Sequence, residues 1–249
     1  MSRDISDLLS AWSVDDFPVR VIDGDDGRPK LQRRLALGIL QLEMDGRPDG
    51  QMPFGDESYF DHFQRRSESE AETFYLTSAD CQKLASEAIL YFQRRLCFFD
   101  LGDFERAARD ADRNLEVFSF ARKHALDEED AWMLDQYRGF VLSHRARAKA
   151  LSALKNQDYN SALAAVDEGF AKIRTFLDEY DIDEEMAAGD ELRQLRRLRD
   201  TITGHPAELP AGGDIAQILR DQLRSAIENE QYERAAKIRD QLASLESST

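Results

Sequence analysis

The sequence predicts a mainly α-helical protein: a scaffold of helical hairpins, preceded by a β-hairpin and followed by a separate C-terminal helical hairpin. Three observations carry this. Between residues 74 and 203, apolar side chains recur at helical spacing, and the breaks fall at Gly-Asp, at Asn-Gln-Asp and at acidic runs. Before residue 50 the pattern changes to β-branched Val19, Val21 and Ile22, then the turn Asp23-Gly24-Asp25-Asp26-Gly27, then a partly alternating run from Lys30 to Leu37. After residue 213 two more amphipathic faces appear, set off by a stretch (203–213) with two prolines and three glycines. The divisions are a β-hairpin region with a short helix (1–73), the scaffold (74–203), a linker (204–213) and the terminal hairpin (214–249).

In the first region the predicted hairpin bends near Gly38 and continues as extended chain through Leu40, Leu42 and Met44. The phrase Asp26-Gly27-Arg28-Pro29 returns as Asp45-Gly46-Arg47-Pro48. Arg28 and Arg47 have the chemistry to hold a carboxylate or phosphate bidentately, but paired turns closed by proline explain them better. Ser58 to Arg66 is a short amphipathic helix with Tyr59, Phe60 and Phe63 inward, and Ser67 to Glu72 a polar connector.

The scaffold opens with a capping signature, Thr77-Ser78-Ala79-Asp80. A helix then carries Leu84, Ala88, Tyr91, Phe92, Arg95, Phe98 and Phe99 to a break at Leu101-Gly102-Asp103. A second carries Phe104, Ala107, Ala108, Ala111, Leu115 and Phe118. A third starts at the acidic run Asp127–Asp130, which suits a helix N-terminus, and runs past Trp132, Tyr137, Phe140 and His144 to Leu154. A fourth presents Tyr159, Ala162, Val166, Phe170, Ile173 and Leu177, and a last one Leu192, Leu195, Leu198 and Ile202. On that last helix Arg193, Arg196, Arg197 and Arg199 form a basic edge expected to meet acidic neighbours in the same chain.

Charge narrows the function. With 33 Lys and Arg against 49 Asp and Glu, the 249 residues carry a formal charge of −16, which opposes unaided binding to nucleic acid and to anionic membranes. The longest mostly apolar stretch, Leu35 to Leu42, is far too short to span a bilayer. The N-terminus has no apolar signal core. Cys81 and Cys97 fall on one predicted helix, about 24 Å apart at 1.5 Å per residue, too far for a disulfide. They read as buried free thiols of a cytoplasmic protein. No phosphate-binding loop and no dinucleotide fingerprint occurs, and His62, His124, His144 and His205 are scattered without metal-ligand spacing. The expectation is a non-catalytic protein with no cofactor.

Two resemblances add to this. Gly102-Asp103-Phe104-Glu105-Arg106-Ala107 matches Gln157-Asp158-Tyr159-Asn160-Ser161-Ala162, and Glu230-Gln231-Tyr232-Glu233-Arg234-Ala235 repeats the phrase. The turn-aromatic-x-x-Ala order of the first two copies resembles the tetratricopeptide helix hairpin, with the aromatic filling the groove between paired helices and the alanine permitting close crossing. The spacing of the copies, Phe104 to Tyr159, is longer than that family's period, so the resemblance implies lengthened, tetratricopeptide-like hairpins.

The terminal segment places Ile215, Ile218, Leu219, Leu223, Ala226 and Ile227 on one helix face, then, after a polar break, Tyr232, Ala235, Ala236, Ile238, Leu242 and Leu245 on a second. So small a hairpin recovers about 1.5–3 kcal/mol per buried side chain against roughly 1–2 kcal/mol of ordering cost per residue, so it should seek another surface. Tyr232, the Ala235-Ala236 pair, the Arg239-Asp240 pair and Leu242 resemble the UVR motif, the helical hairpin of the excision-repair proteins UvrB and UvrC, also found in some Clp unfoldases and their adaptors. The resemblance implies an adaptor that docks onto a protein partner, or onto a second copy of itself, through Leu219, Leu223, Ile227, Tyr232, Ala235, Ala236, Arg239, Asp240 and Leu242. Its alternatives are an accessory role in nucleotide excision repair and an adaptor role for a Clp-type unfoldase.

Overall fold

The computed structural model describes residues 5–12, 18–182, 189–204 and position 239. The chain is mainly helical and carries one small sheet. A short helix α1 (Ser6–Ala11) precedes strands β1 (Val19–Asp23), β2 (Pro29–Leu35) and β3 (Gly38–Glu43). Then come α2 (Tyr59–Glu70), α3 (Ser78–Asp100), α4 (Phe104–His124), α5 (Glu128–Asp135), α6 (Arg138–Lys155), α7 (Tyr159–Glu179) and α8 (Gly189–Gly204).

The strands form an antiparallel sheet in the order β1-β2-β3. The extended chain expected after Gly38 is thus a third strand, paired so that Leu31 faces Leu42 and Leu35 faces Gly38. Ala36 and Leu37 make the turn between them, and Leu37 is almost fully exposed. Val19, Leu31 and Leu42 are buried against Cys97 and Phe98 of α3, Ala107 and Ala108 of α4 and Ala148 of α6. On the other face a polar ladder crosses the sheet: Arg20 donates to Gln32 Oε1 at 2.8 Å, and Gln32 Nε2 to Gln41 Oε1 at 2.9 Å. Arg34 ties α1 to the sheet by donating to the Trp12 carbonyl at 2.8 Å and the Leu9 carbonyl at 3.2 Å.

The helices largely follow the sequence. Thr77 and Asp80 close a capping box at the start of α3. Asp103 and Asp158 cap α4 and α7 by accepting from the backbone N–H of Arg106 at 3.2 Å and of Ser161 at 3.0 Å. Two expectations need correction. The polar segment after Arg66 is not a connector from Ser67, because α2 continues to Glu70, held by the i,i+4 pair Arg66–Glu70 at 2.9 Å. The single helix expected from Asp127 to Leu154 is two, α5 and α6, parted at Gln136 and Tyr137. Neither residue of the break is glycine or proline, although Gly139 follows as the second residue of α6. The break serves Asp135, which is fully buried and accepts from Arg138 Nε at 2.6 Å and from the Tyr180 hydroxyl at 2.8 Å.

Two helical hairpins, α3/α4 and α6/α7, carry the interior. Phe60, Phe63, Phe74, Leu76, Leu84, Phe118 and Leu134 fill the core around the first. Leu142, Ala146, Ala150, Ala162, Val166 and Ile173 fill the second, which Leu192, Leu195 and Ile202 of α8 close. The α6/α7 crossing is tight enough that a Cβ on Gly169 would sit 2.4 Å from the Ala146 Cβ. Cys81 and Cys97 lie buried and unbonded on α3, as expected. Among the described residues no helix is long and apolar enough to cross a membrane. Apart from Gly204, which ends α8, the expected linker lies outside the described residues. So does the terminal hairpin, except for Arg239.

Candidate interaction surfaces

The loop between β3 and α2 is fixed by arginines reaching from the helices. Arg94 of α3 pairs with Asp110 of α4 through two bonds of 2.7 and 2.8 Å, both side chains almost wholly buried. Its remaining nitrogen donates to the carbonyls of Glu43 at 3.1 Å and Gly46 at 2.8 Å. Arg109 adds bonds to Asp45 at 2.5 Å and to the Met44 carbonyl at 2.9 Å; its guanidinium holds the Asp45 carboxyl below its ordinary range. Fully buried Glu87 of α3 accepts from the backbone N–H groups of Tyr59 at 2.8 Å and Phe60 at 3.2 Å, capping α2 from a neighbouring helix. Burial raises its pKa, and the two N–H donors and Arg47 oppose the rise.

This settles the repeated Asp-Gly-Arg-Pro turns. Gly27 and Gly46 both adopt positive φ, at 74° and 64°. Arg28 bonds Asp26, two residues back, at 2.8 Å. Arg47 is buried against Asp49 at 2.9 Å and Glu87 at 3.5 Å, over the Tyr59 ring at 4.7 Å. Both arginines are committed to carboxylates of this chain. His144 is packed, not poised: Phe92, Phe99 and Phe140 surround it at ring distances of 4.2 to 6.3 Å. Burial, then Arg95 and Arg147, push its pKa down to about 3. No group of three His, Cys, Asp or Glu able to hold a metal occurs among the described residues.

One face of α4 remains open along its length. A cleft of about 670 Å³ lies at its start, between Phe104, Arg109, Asp112, Lys149 and Asn156. A second, of about 1160 Å³, lies toward its end, between Phe60, Phe120, Arg138, Lys172 and Phe176. Asp112 and Glu116 belong to both, so the two form one furrow with α6 and α7 opposite. Arg145 reaches into it and is paired with Asp112 and with Glu168, the latter at 3.1 Å. Lys172, then Arg145, hold the Glu168 carboxyl down to about 2. At the far end Arg122 and Glu179 pair across the gap. Arg199 of α8 bonds Asp167 of α7 at 2.9 Å, an acidic partner of the kind expected for that basic edge.

Residues 218–248 match the family model of the UvrB/uvrC motif. No curated protein and no solved structure matches the chain. The match takes in every side chain expected to dock: Leu219, Leu223, Ile227, Tyr232, Ala235, Ala236, Arg239, Asp240 and Leu242. Of these the structure describes Arg239 alone, helical and exposed; the others lie outside the described residues. The chain therefore ends in an interaction motif known from UvrB and UvrC.

Sequence reasoning did not find the furrow or the buried ionic cluster. Both left a trace. Glu87, Arg94 and Arg95 fall in phase with Leu84, Tyr91 and Phe98, so charges sit in the apolar stripe of α3. Glu105, Arg109, Asp112 and Glu116 share one helical face of α4 and resemble any solvated surface until α6 and α7 are seen opposite.

Proposed function

We propose that this protein is a non-catalytic adaptor that docks through its C-terminal UVR hairpin onto a protein partner, or onto a second copy of itself, while the helical body presents a second surface. The match of residues 218–248 to the UvrB/uvrC motif carries the reading. Physical chemistry supports it: two short amphipathic helices without a disulfide bury too little to be stable alone. The body is read as tetratricopeptide-like because the turns before α4 and α7 share a capping aspartate, an aromatic and a buried alanine at the same offsets. The chain divides into that scaffold, a linker at 204–213 and the docking hairpin at 214–249, in the cytoplasm.

The test is Leu223→Asp combined with Tyr232→Ala in the full chain. Association measured by light scattering and by affinity purification should be lost while the helical circular dichroism of the body is kept. Unchanged mass together with an unchanged set of co-purifying proteins would refute the reading. The motif's occurrence in UvrB and UvrC supports a second reading, an accessory of nucleotide excision repair. It requires ultraviolet sensitivity in a deletion strain, and normal survival would count against it. Capture of a Clp-type unfoldase instead would assign the adaptor to proteolysis.

A further inference from the structure

We propose that the furrow along α4 is a docking groove for an acidic amphipathic helix of a partner protein. The groove is built from residues of the helical body alone. Its floor is apolar: Phe104 and Ala108 at one end, Leu115 in the middle, Phe120, Leu142 and Phe176 at the other. Its length is that of α4, 21 residues, about 31 Å at 1.5 Å rise per residue, so a helix of five to six turns fits beside it.

Charge selects the occupant. The chain as a whole has 49 acidic residues against 33 basic ones, yet basic side chains outnumber acidic ones along the furrow. Several of these are already paired within the chain, Arg122 with Glu179, Arg145 with Asp112 and Glu168, and Lys172 with Glu168 at 2.6 Å. The exposed pairs among these, Arg122 with Glu179 and Lys172 with Glu168, contribute only about 0–1 kcal/mol each, so an incoming carboxylate exchanges with them at little cost; Arg145 is largely buried and keeps its partners. Lys123 and Lys149, one in each cleft, have no carboxylate partner among the described residues. A helix with leucines on one face and glutamates beside it would bury the first against the aromatic floor and set the second against these lysines. The same bases are too interspersed with acids to follow a nucleic-acid backbone.

The probe is a fluorescein-labelled synthetic helix with leucines on one face and glutamates elsewhere. Its counterpart has lysine at every glutamate. Fluorescence anisotropy with the full-length protein should show binding of the glutamate helix, weakening with added salt, and at least tenfold weaker binding of the lysine helix. Lys123→Glu, at the exposed position, combined with Lys149→Glu, at a half-buried one, should reduce binding of the glutamate helix tenfold or more while the helical circular dichroism is kept. The Leu223→Asp, Tyr232→Ala chain should bind it as the parent does, which separates this groove from the hairpin. Equal binding of both helices, binding of neither, no effect of the lysine substitutions, or displacement of the helix by a single-stranded oligonucleotide at lower concentration than by unlabelled helix, each overturns the assignment.

Discussion

The two helical hairpins are closed by the same turn and are built on opposite interiors. The α3/α4 hairpin buries Glu87, Arg94, Arg95, Asp110 and Asn114. Apart from His144 at the seam with α3, the α6/α7 hairpin buries one polar side chain, Ser143, and otherwise glycine, alanine, valine, isoleucine, leucine and phenylalanine. The difference follows from what covers each pair. Over α6/α7 lies α8, a helix that satisfies its own backbone, so Leu192, Leu195 and Ile202 suffice. Over α3/α4 lie β3 and the irregular loop from Met44 to Gly50, whose carbonyls face inward and need donors. Arg94 and Arg109 supply them at Glu43, Gly46 and Met44. The loop on α3/α4 is met by the charges of Arg94 and Arg109 and the start of α2 by that of Glu87; α8 on α6/α7 is met by apolar side chains.

The largest expected effect breaks this contrast at its charged end. Asp110→Ala leaves the Arg94 guanidinium buried with half its bonds gone, and loss of one partner of a buried pair costs about 3–5 kcal/mol. Urea unfolding should show a loss of that size. The double replacement Arg94→Met, Asp110→Leu should recover part of it, but not all, since the carbonyls of Glu43 and Gly46 lose their donor. If Asp110→Ala costs no more than an ordinary surface change, within about 0.5 kcal/mol, the ionic account of this hairpin is wrong.

The seam between the hairpins gives the next effect. His144 of α6 sits among Phe92 and Phe99 of α3 and Phe140 of its own helix. Its pKa is lowered to about 3 from an ordinary 6.5. The folded chain keeps the ring neutral, whereas the unfolded chain takes up a proton below pH 6.5. Stability therefore falls as pH falls from 6.5 toward 3, by up to about 1.4 kcal/mol per pH unit from this group. Between pH 6.5 and 5 the loss is about 2 kcal/mol. Denaturation of His144→Phe across that range should be flatter than that of the parent by about this amount. Identical slopes would show that the ring is solvated in the folded protein.

How much of this was legible in the sequence also divides along the same line. Caps and turns were readable because their signals are local: Thr77 with Asp80, the aspartates at 103 and 158, and the glycine at 102 each act within four residues. The apolar stripes of α3, α4 and α7 were readable by period. The α5/α6 break was not, because its cause, the burial of Asp135 beside Tyr180 and Arg138, lies 45 residues away in the case of Tyr180. The third strand was only half seen, since Gly38 and Met44 bound it weakly and its pairing with β2 is a tertiary fact. The residues expected to dock in the C-terminal segment come from its spelling alone, and they fall inside the stretch that the family model matches. The furrow was hidden because four separate helices, α2, α4, α6 and α7, build it.

The smallest effect is also the closest comparison, because it concerns one backbone position in two contexts. Gly102 and Gln157 occupy the same place before the capping aspartate, with φ of 66° and 58°. That left-handed conformation costs a non-glycine residue about 1–2 kcal/mol, so Gly102→Ala should destabilise by about 1 kcal/mol. Space is not the reason: the nearest atom to a Cβ on Gly102 is Lys155 Nζ, at 3.6 Å. Gln157→Gly relieves the strain in the second hairpin but gives the unfolded chain more freedom, which offsets roughly 0.5–1 kcal/mol of the gain. The net should be a stabilisation below about 1 kcal/mol, read as a small rise in melting temperature. The two turns also touch, since Lys155, at the end of α6, donates to the Gly102 carbonyl and lies over the Phe104 ring at 5.1 Å. Adding Lys155→Met to each turn substitution tests whether that contact couples them. Effects that add with Gln157→Gly and with Gly102→Ala alike would show two independent turns, whereas a non-additive pair with Gly102→Ala would show that the second hairpin props the first.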